Sequence, residues 1–340
     1  MLPQALGRLT NDVAVDLGTS NTQIFVRGRG LLVEEPSVVA IQGQGASQRI
    51  VTVGLEARRM LGRTPENIRT VRPIRQGVIA EYELAEALLR SCVLRALGIK
   101  PLLKPRMVIC VPLGSTEVER RAIQELARSI GTRESILVSK PIVAALGAGL
   151  PVSDPVGSLV VDVGGGTTEV GLISLGGLVC SAAATVAGDD LDQALVHWIR
   201  DRHQVLIGER AAEELKQRVG CGESGVRDTT KVMGRDVQTG RTREVEVPAS
   251  DAREAFEAPL ERVVDAIRET LTVAPPELAA DVLDRGVLLC GGGSLLKGIA
   301  QYLGQRTGLP VIRAEDPLRC VIQGAGMLLD EPEYMLGRLR

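Results

Sequence analysis

One 14-residue pattern occurs twice in this 340-residue chain, and it constrains the fold more than any other feature. Residues 13–26 read VAVDLGTSNTQIFV and residues 159–172 read LVVDVGGGTTEVGL, an offset of 146 positions that aligns Asp16 with Asp162. In each copy an apolar run, an aspartate, a glycine-containing turn and a second apolar run follow one another. This order predicts a β-hairpin whose turn carries the carboxylate. Because a flexible linker would not repeat in this way, we expect two related halves.

A second pattern also occurs in both halves. RMVICVP precedes STEVERRAIQELARSIG, and GVLLC precedes GGGSLLKGIAQYLGQRTG, which predicts a buried strand, a short turn and an amphipathic helix ending at glycine. Ser115 or Thr116 is suited to cap the first helix. The chain is therefore predicted to be a duplicated α/β unit. The predicted boundaries are domain I at 1–143 plus 316–340 with an insert at about 30–72, and domain II at 144–315 with an insert at about 187–247.

Composition excludes several classes of protein. A hydrophobic content of 44% favours a globular fold. With 40 basic and 42 acidic residues and only 2% aromatic residues, the chain has neither the basic field nor the stacking surfaces that nucleic acid requires, so no nucleic-acid partner is expected. Six scattered cysteines without a CxxC pair suggest reduced thiols in a cytoplasmic protein. No apolar run approaches the roughly 18 residues of a membrane span, so any membrane contact is expected to be peripheral.

The glycine-rich turns suit phosphate binding. Backbone N–H groups at Gly164, Gly165 and Gly166 can approach an anion closely because no Cβ intervenes. An aspartate before such a turn can hold Mg²⁺ on the far side of the same phosphate, so Asp16 and Asp162 are the candidate metal ligands. A lone triple glycine is equally compatible with a simple tight turn. The matched aspartates, and a third glycine run in CGGGSLLKG that suits an adenosine against a helix N-terminus, favour a nucleotide site.

These motifs resemble a known superfamily. DLGTSNT, VVDVGGGTTEV and LLCGGGSLLKG are similar to the two phosphate loops and the adenosine loop of the actin, sugar kinase and heat-shock chaperone ATPases. GRGLLVEEPSVVAI, RPIRQGVIAEYE, LIGERAAEELK and PPELAADVLDRGVLL resemble the bacterial actins of the MreB and MreB-like (Mbl-type) family. The resemblance implies an α/β, actin-like (ribonuclease H-like duplicated) fold with two domains around a nucleotide cleft. It also implies ATP or ADP with Mg²⁺, filaments under the cytoplasmic membrane, and a role in cell-wall synthesis and cell shape.

The resemblance also assigns site residues. Glu213 and Lys216 fall where the family contacts ribose and base, although a charged pair at this spacing is also typical of a solvated helix face. Ser20 stands where the family often has alanine. The nucleotide-binding positions implied by the resemblance are Gly18, Thr19, Ser20, Asn21, Gly164, Gly165, Gly166, Thr167, Glu213, Lys216, Gly291, Gly292 and Gly293.

At one position the chain departs from the family. The family has two acidic residues before a proline, EEP, and the second is thought to orient or activate the attacking water; here Ser139 and Lys140 stand in those places. An ammonium can attract a phosphate but cannot take a proton from water. We therefore expect ATP binding with slow hydrolysis. The alternative is that Lys140 turns out to solvent and a neighbour such as Glu169 acts as the catalytic carboxylate.

Two stretches suit an anionic membrane surface. The first is the N-terminal leucine pattern, and the second is KPLLKPR, in which two leucines lie between basic residues. Members of the family attach to membrane through these two regions, whereas a frayed tail and an ordinary loop would give the same local pattern. The candidate membrane residues are Leu2, Leu6, Leu9, Leu102 and Leu103.

Two other functions remain open within the same superfamily. A small-molecule kinase would need an aspartate base and a substrate pocket formed by larger inserts. A chaperone nucleotide domain would be longer and followed by a peptide-binding domain. The short inserts and the length of this chain favour the filament-forming protein over both.

Overall fold

The computed structural model describes residues 11–43, 45–98, 104–221 and 229–330. The strands of this part are β1 (Val13–Leu17), β2 (Asn21–Val26), β3 (Gly30–Pro36), β4 (Val39–Gln42), β5 (Arg49–Val53), β6 (Ile68–Val71), β7 (Ile74–Arg75), β8 (Val78–Ile79), β9 (Arg106–Val111), β10 (Glu134–Ser139), β11 (Ser158–Val163), β12 (Thr168–Ser174), β13 (Gly177–Ala184), β14 (Val205–Leu206), β15 (Thr229–Asp236), β16 (Thr242–Pro248), β17 (Val287–Cys290) and β18 (Val311–Arg313). The α-helices are α1 (Leu55–Arg59), α2 (Tyr82–Leu97), α3 (Glu117–Ile130), α4 (Lys140–Gly147), α5 (Gly188–His203), α6 (Glu209–Val219), α7 (Ala249–Thr272), α8 (Pro276–Arg285), α9 (Ile299–Thr307) and α10 (Cys320–Met327).

The two halves contain five-stranded sheets of the same topology. Their strand orders are β3-β2-β1-β9-β10 and β13-β12-β11-β17-β18. In both, the repeated hairpin is antiparallel, and its first strand pairs in parallel with the strand of the second repeated pattern. Asp16 lies opposite Cys110 of β9 and Asp162 lies opposite Cys290 of β17, so the two aspartates occupy equivalent places. The predicted duplication of an α/β unit is confirmed.

The central strands form because their residues suit burial on both faces. Every residue of β9 and β11 is buried, as expected for a continuous apolar strand between helices. The predicted helix after β9 begins where expected: Thr116 accepts the N–H of Glu119, and the Glu119 side chain accepts the N–H of Thr116. This capping box typically stabilises a helix by about 1 kcal/mol.

Two helices connect the halves. α4 and α10 pack between the sheets in one apolar cluster that also contains residues of both main sheets, from β1, β9, β10, β11, β12 and β17. They cross closely because Gly147 and Gly324 lack side chains; a Cβ at Gly147 would overlap the Cys320 carbonyl, and a Cβ at Gly324 would overlap that of Val143. The predicted domain boundary at residue 143 therefore falls inside a connecting helix, and the boundaries themselves stay a prediction.

Two local expectations need correction. β3, which the sequence placed in the first insert, is the edge strand of the main sheet, because it pairs with β2 from Asn21 to Val26. The glycine run after β17 does not begin a helix directly, because a 3-10 turn (Gly292–Leu295) comes first. Helix α9 begins only after Gly298, which has a left-handed backbone conformation with a φ of 81°. The smaller sheets β5-β4-β6 and β14-β15-β16 lie in the two predicted inserts.

Candidate functional site

A single cleft of about 560 Å³ gathers almost all the predicted site residues. The sequence separates them by up to 277 positions, from Asp16 to Gly293, and the two sheets bring them together. The predicted residues that line the cleft are Asp16, Gly18, Thr19, Ser20, Asn21, Lys140, Asp162, Gly164, Gly165, Gly166, Thr167, Glu213, Lys216, Gly291, Gly292 and Gly293. Glu169 is the predicted site residue of the described chain that does not line it.

The two hairpin turns have the same internal geometry. The N–H of Gly18 donates to the carbonyl of Asn21 at 3.0 Å, and the N–H of Gly164 donates to that of Thr167 at 2.9 Å. These bonds are related by the offset of the sequence repeat. The same turn is therefore built twice, once at each wall of the cleft.

The turns also touch one another. A Cβ at Gly165 would overlap the Ser20 hydroxyl, and one at Gly166 would lie 2.8 Å from Thr19 Oγ1. The glycines of the second turn thus serve two needs: their N–H groups stay open to an anion, and the opposite turn can approach. Gly291 is similarly constrained, since its φ is 79° and a Cβ there would overlap Asp162.

Lys140 lies inside the cleft and does not turn out to solvent. Its residue is only 9% exposed, and Nζ lies 3.0 Å from Asp16 Oδ1. Burial alone would lower the pKa of the ammonium, but Asp16, Glu169 and Asp162 outweigh it and raise the pKa above its ordinary value. The alternative of a solvated Lys140 is therefore wrong, and the lysine is a cation inside the cleft, beside the aspartate of the first glycine turn.

Glu169 lies behind the cleft, where it ties the two halves together. It is 1% exposed, and its carboxylate accepts the N–H of Leu113 at 2.9 Å and the hydroxyl of Thr167 at 3.3 Å. Each carboxylate oxygen accepts one of these hydrogen bonds, and Glu169 does not line the cleft. This arrangement disfavours Glu169 as the group that takes a proton from water; its catalytic role stays a prediction that the geometry does not support.

Burial also shifts the carboxylates of the cleft floor. Desolvation raises the pKa of Glu169 from 4.5 to about 7 and that of Asp162 from 3.8 to about 6, although Lys140 acts in the opposite direction on both. The folded protein therefore holds more protons than the unfolded chain between about pH 4 and pH 7. Stability falls as pH rises through that window.

We expect the melting temperature of the nucleotide-free protein to decrease as the pH is raised from about 5 to about 7. The substitution Glu169→Gln should remove much of that decrease. A shift of this size in one buried group corresponds to roughly 3 kcal/mol. Calorimetry across the pH range measures it, with the exposed Glu66→Gln as the matched control. A Glu169→Gln profile parallel to the parent would contradict the assignment.

Two carboxylates that line the cleft, Asp16 and Asp162, are suited to hold Mg²⁺. Asp16 Oδ1 is buried and has the Lys140 ammonium 3.0 Å away, and Asp162 has no ion pair among the described residues. The described chain contains no cluster of three or more His, Cys, Asp or Glu side chains that could hold a metal ion. Since Mg²⁺ commonly takes one or two carboxylates together with substrate phosphates, Asp16 and Asp162 suit it when a nucleotide is bound.

Ion pairs connect side chains that line the cleft, both between the two inserts and within the second one. Arg58 on α1 contacts both oxygens of Glu213 on α6 at 2.7 Å. Lys216 lies 2.9 Å from Asp192 Oδ1 and donates to the Gly188 carbonyl at 2.8 Å. Glu213 and Lys216 therefore do not form a solvated pair on a helix face, because each has a partner elsewhere. Their contact with ribose and base stays a prediction.

Sequence reasoning missed part of the lining. Arg72 bridges to Asp189 at 3.3 Å, and apolar side chains form the wall beside the third glycine run. The charged helix LEARRMLG and the acidic GDDLD were the available signals, but neither indicates a partner across the cleft. The additional lining residues include Arg58, Arg72, Asp189, Asp192, Leu295, Leu296, Leu318 and Val321.

Comparisons with known proteins agree with this architecture. The family model described as MreB/Mbl protein matches residues 10–336. The cell shape-determining protein MreB of Escherichia coli (strain K12) is 44% identical over 337 residues, covering 97% of this chain and 96% of that protein. The cell shape-determining protein Mbl of Bacillus subtilis (strain 168) is 42% identical over 326 residues, covering 95% and 97%.

Solved structures give the same result. MreB 5 of Spiroplasma citri, bound to AMPPNP, superposes with a TM-score of 0.88 at 33% identity and covers 93% of this chain and 95% of its own. A MamK double helical filament has a TM-score of 0.80 and covers 95% and 100%, but at 22% identity this likeness shows the fold alone. The expected actin-like fold is confirmed, and the chain belongs to the MreB/Mbl family.

Proposed function

We propose that this chain binds ATP and ADP, assembles into filaments with itself on the cytoplasmic face of the membrane, and helps to determine cell shape by organising the cell-wall synthesis machinery. The observation that carries the proposal is the pair of equivalent glycine turns in contact across one cleft, each preceded by an aspartate. Such a pair can donate N–H groups to a phosphate chain from both sides.

The relatives support the nucleotide and the cellular role. The Spiroplasma citri protein has been solved with AMPPNP and with ADP, and the two curated relatives are described as cell shape-determining. The apolar wall that includes Leu318 and Val321 suits the flat face of an adenine. Mg²⁺, when bound with the nucleotide, would neutralise developing charge on the phosphates, held by Asp16 and Asp162.

We further propose that hydrolysis is slow. Besides Asp162, the carboxylates that line the cleft each have a cation within 3.3 Å among the described residues, the pairs being Asp16–Lys140, Asp189–Arg72, Asp192–Lys216 and Glu213–Arg58. Among the described residues, the glutamate that lines the cleft is Glu213, which is paired with Arg58, and position 140 is a lysine. A water beside the γ-phosphate therefore lacks the acceptor that the family pattern supplies.

Peripheral attachment to membrane is part of the proposal. The candidate residues Leu2, Leu6, Leu9, Leu102 and Leu103 lie outside the described residues. The described chain adjoining both segments meets at one end of the domain I sheet: Val13 pairs with Met107, and Asp12 accepts the N–H of Arg106 at 2.8 Å. Two separate stretches could thus contact one surface. None of the described helices has the length and apolar character needed to cross a membrane.

Electron microscopy of the purified protein with ATP and Mg²⁺ tests the central proposal. Filaments are expected with ATP or AMPPNP, and fewer or none without nucleotide. A monomeric protein that transfers phosphate to a small acceptor would instead indicate a kinase of the same fold. Failure to bind nucleotide under any condition would overturn the proposal as a whole.

A further inference from the structure

The floor of the cleft contains a cation of its own. The Lys140 ammonium lies 3.0 Å from Asp16 Oδ1, and the negative charges of Asp162 and Glu169 also act on it. The other cations that line the cleft are Arg58, Arg72 and Lys216, and each is paired with a carboxylate of the second insert. Lys140 differs from them in its partner, which is the aspartate immediately before the first glycine turn.

We propose that Lys140 is a resident cation of the phosphate site, which supplies part of the charge that a divalent metal ion otherwise brings, so that this chain binds nucleotide with only weak dependence on Mg²⁺. The inference rests on the proposed nucleotide binding and adds to it the metal requirement. It concerns binding, whereas the slow hydrolysis proposed above concerns the chemical step.

The balance of charge is the first argument. Asp16 and Asp162 line the cleft and Glu169 lies behind it, and the charges of all three act on Lys140, so a metal-free nucleotide would add negative charge to a floor that already has three carboxylates. A glutamate at position 140, as the family pattern has, would make four carboxylates and leave a metal ion as the main source of positive charge. The lysine removes one negative charge and adds a positive one at the same point. In a buried site such a difference is large, because little water screens it.

The position of the ammonium is the second argument. Lys140 begins α4 and is followed by Pro141, whose ring restricts the backbone at this point. The residue is only 9% exposed, so its stem is confined by packing. An ammonium has three donors and no strict coordination geometry, and it can contact Asp16 and a phosphate oxygen together. A metal ion at Asp16 would have to share that carboxylate with Lys140.

Calorimetric titration with AMPPNP, in Mg²⁺ buffer and in EDTA, tests the inference without depending on hydrolysis. For the parent, removal of Mg²⁺ is expected to weaken binding by about 10-fold or less. For Lys140→Glu, it is expected to weaken binding by about 100-fold or more, because like charges then face the triphosphate. Lys140→Met, which removes the ammonium without adding a carboxylate, should lie between the two.

Lys231→Glu is the matched control. It makes the same change of charge at an exposed position of β15, outside the cleft, so nucleotide binding should behave as in the parent. If the parent loses AMPPNP affinity on Mg²⁺ removal as strongly as Lys140→Glu does, the inference is wrong although nucleotide binding stands. An equal loss in Lys231→Glu would show that net charge, and not the cleft lysine, sets the metal requirement. No binding by the parent in either buffer would overturn the proposed function as well.

Discussion

Replacing Lys140 with glutamate is expected to raise steady-state phosphate release by about 10²-fold or more in the presence of Mg²⁺. A positioned acid or base typically contributes 10²- to 10⁴-fold to a rate, and Lys140 can neither accept a hydrogen bond from water nor take its proton. The structure strengthens this expectation for two reasons. The ammonium is buried beside Asp16, and the nearby Glu169 does not line the cleft. The substitution also releases Asp16 from its ion pair.

Lys140→Met separates the two consequences of that change. It removes the ammonium but supplies no carboxylate, so phosphate release should stay near the parent rate. A gain equal to that of Lys140→Glu would mean that the lysine inhibits hydrolysis by its charge alone. A parent that already hydrolyses ATP as fast as an ordinary MreB, or no gain on restoring the carboxylate, would count against slow hydrolysis.

The second large effect concerns the membrane. A variant that lacks the first nine residues and carries Leu102→Ser and Leu103→Ser is expected to lose most of its flotation with anionic liposomes. Burying one leucine side chain contributes roughly 1.5–3 kcal/mol, so several together decide whether the protein binds the bilayer surface. Basic neighbours such as Lys104 add attraction to anionic lipid, which predicts weaker flotation with neutral liposomes.

Leu175→Ser with Leu283→Ser is the matched control for flotation. Both leucines are exposed, at 71% and 61%, and both belong to the second half of the chain, outside the sheet β3-β2-β1-β9-β10. This control should float as well as the parent. Flotation of the first variant at the parent level would show that the leucines do not attach the protein.

The sequence by itself determined the duplication and most of the residues that line the cleft. The repeated hairpin predicted two equivalent sheets, and the glycines at 164–166 and 291–293 line the cleft as expected. The cap at Thr116 was also readable. These features follow from short-range rules, because hydrophobic periodicity, turn chemistry and capping depend on residues a few positions apart. The resemblance to the bacterial actins then gave the family.

Only the tertiary structure decided what each charged group contacts. Glu213 forms an ion pair with Arg58, 155 positions away in the sequence. Glu169 accepts the N–H of Leu113 in the other half and does not line the cleft. From the sequence alone, the Lys140 side chain could point either to solvent or into the cleft. The arrangement of the two sheets places Asp16 beside it in the cleft. A long charged side chain has no local preference strong enough to choose its partner. The packing of distant segments sets how far such a side chain is buried and which charges surround it. In this chain that packing places the Lys140 ammonium inside the cleft, beside Asp16.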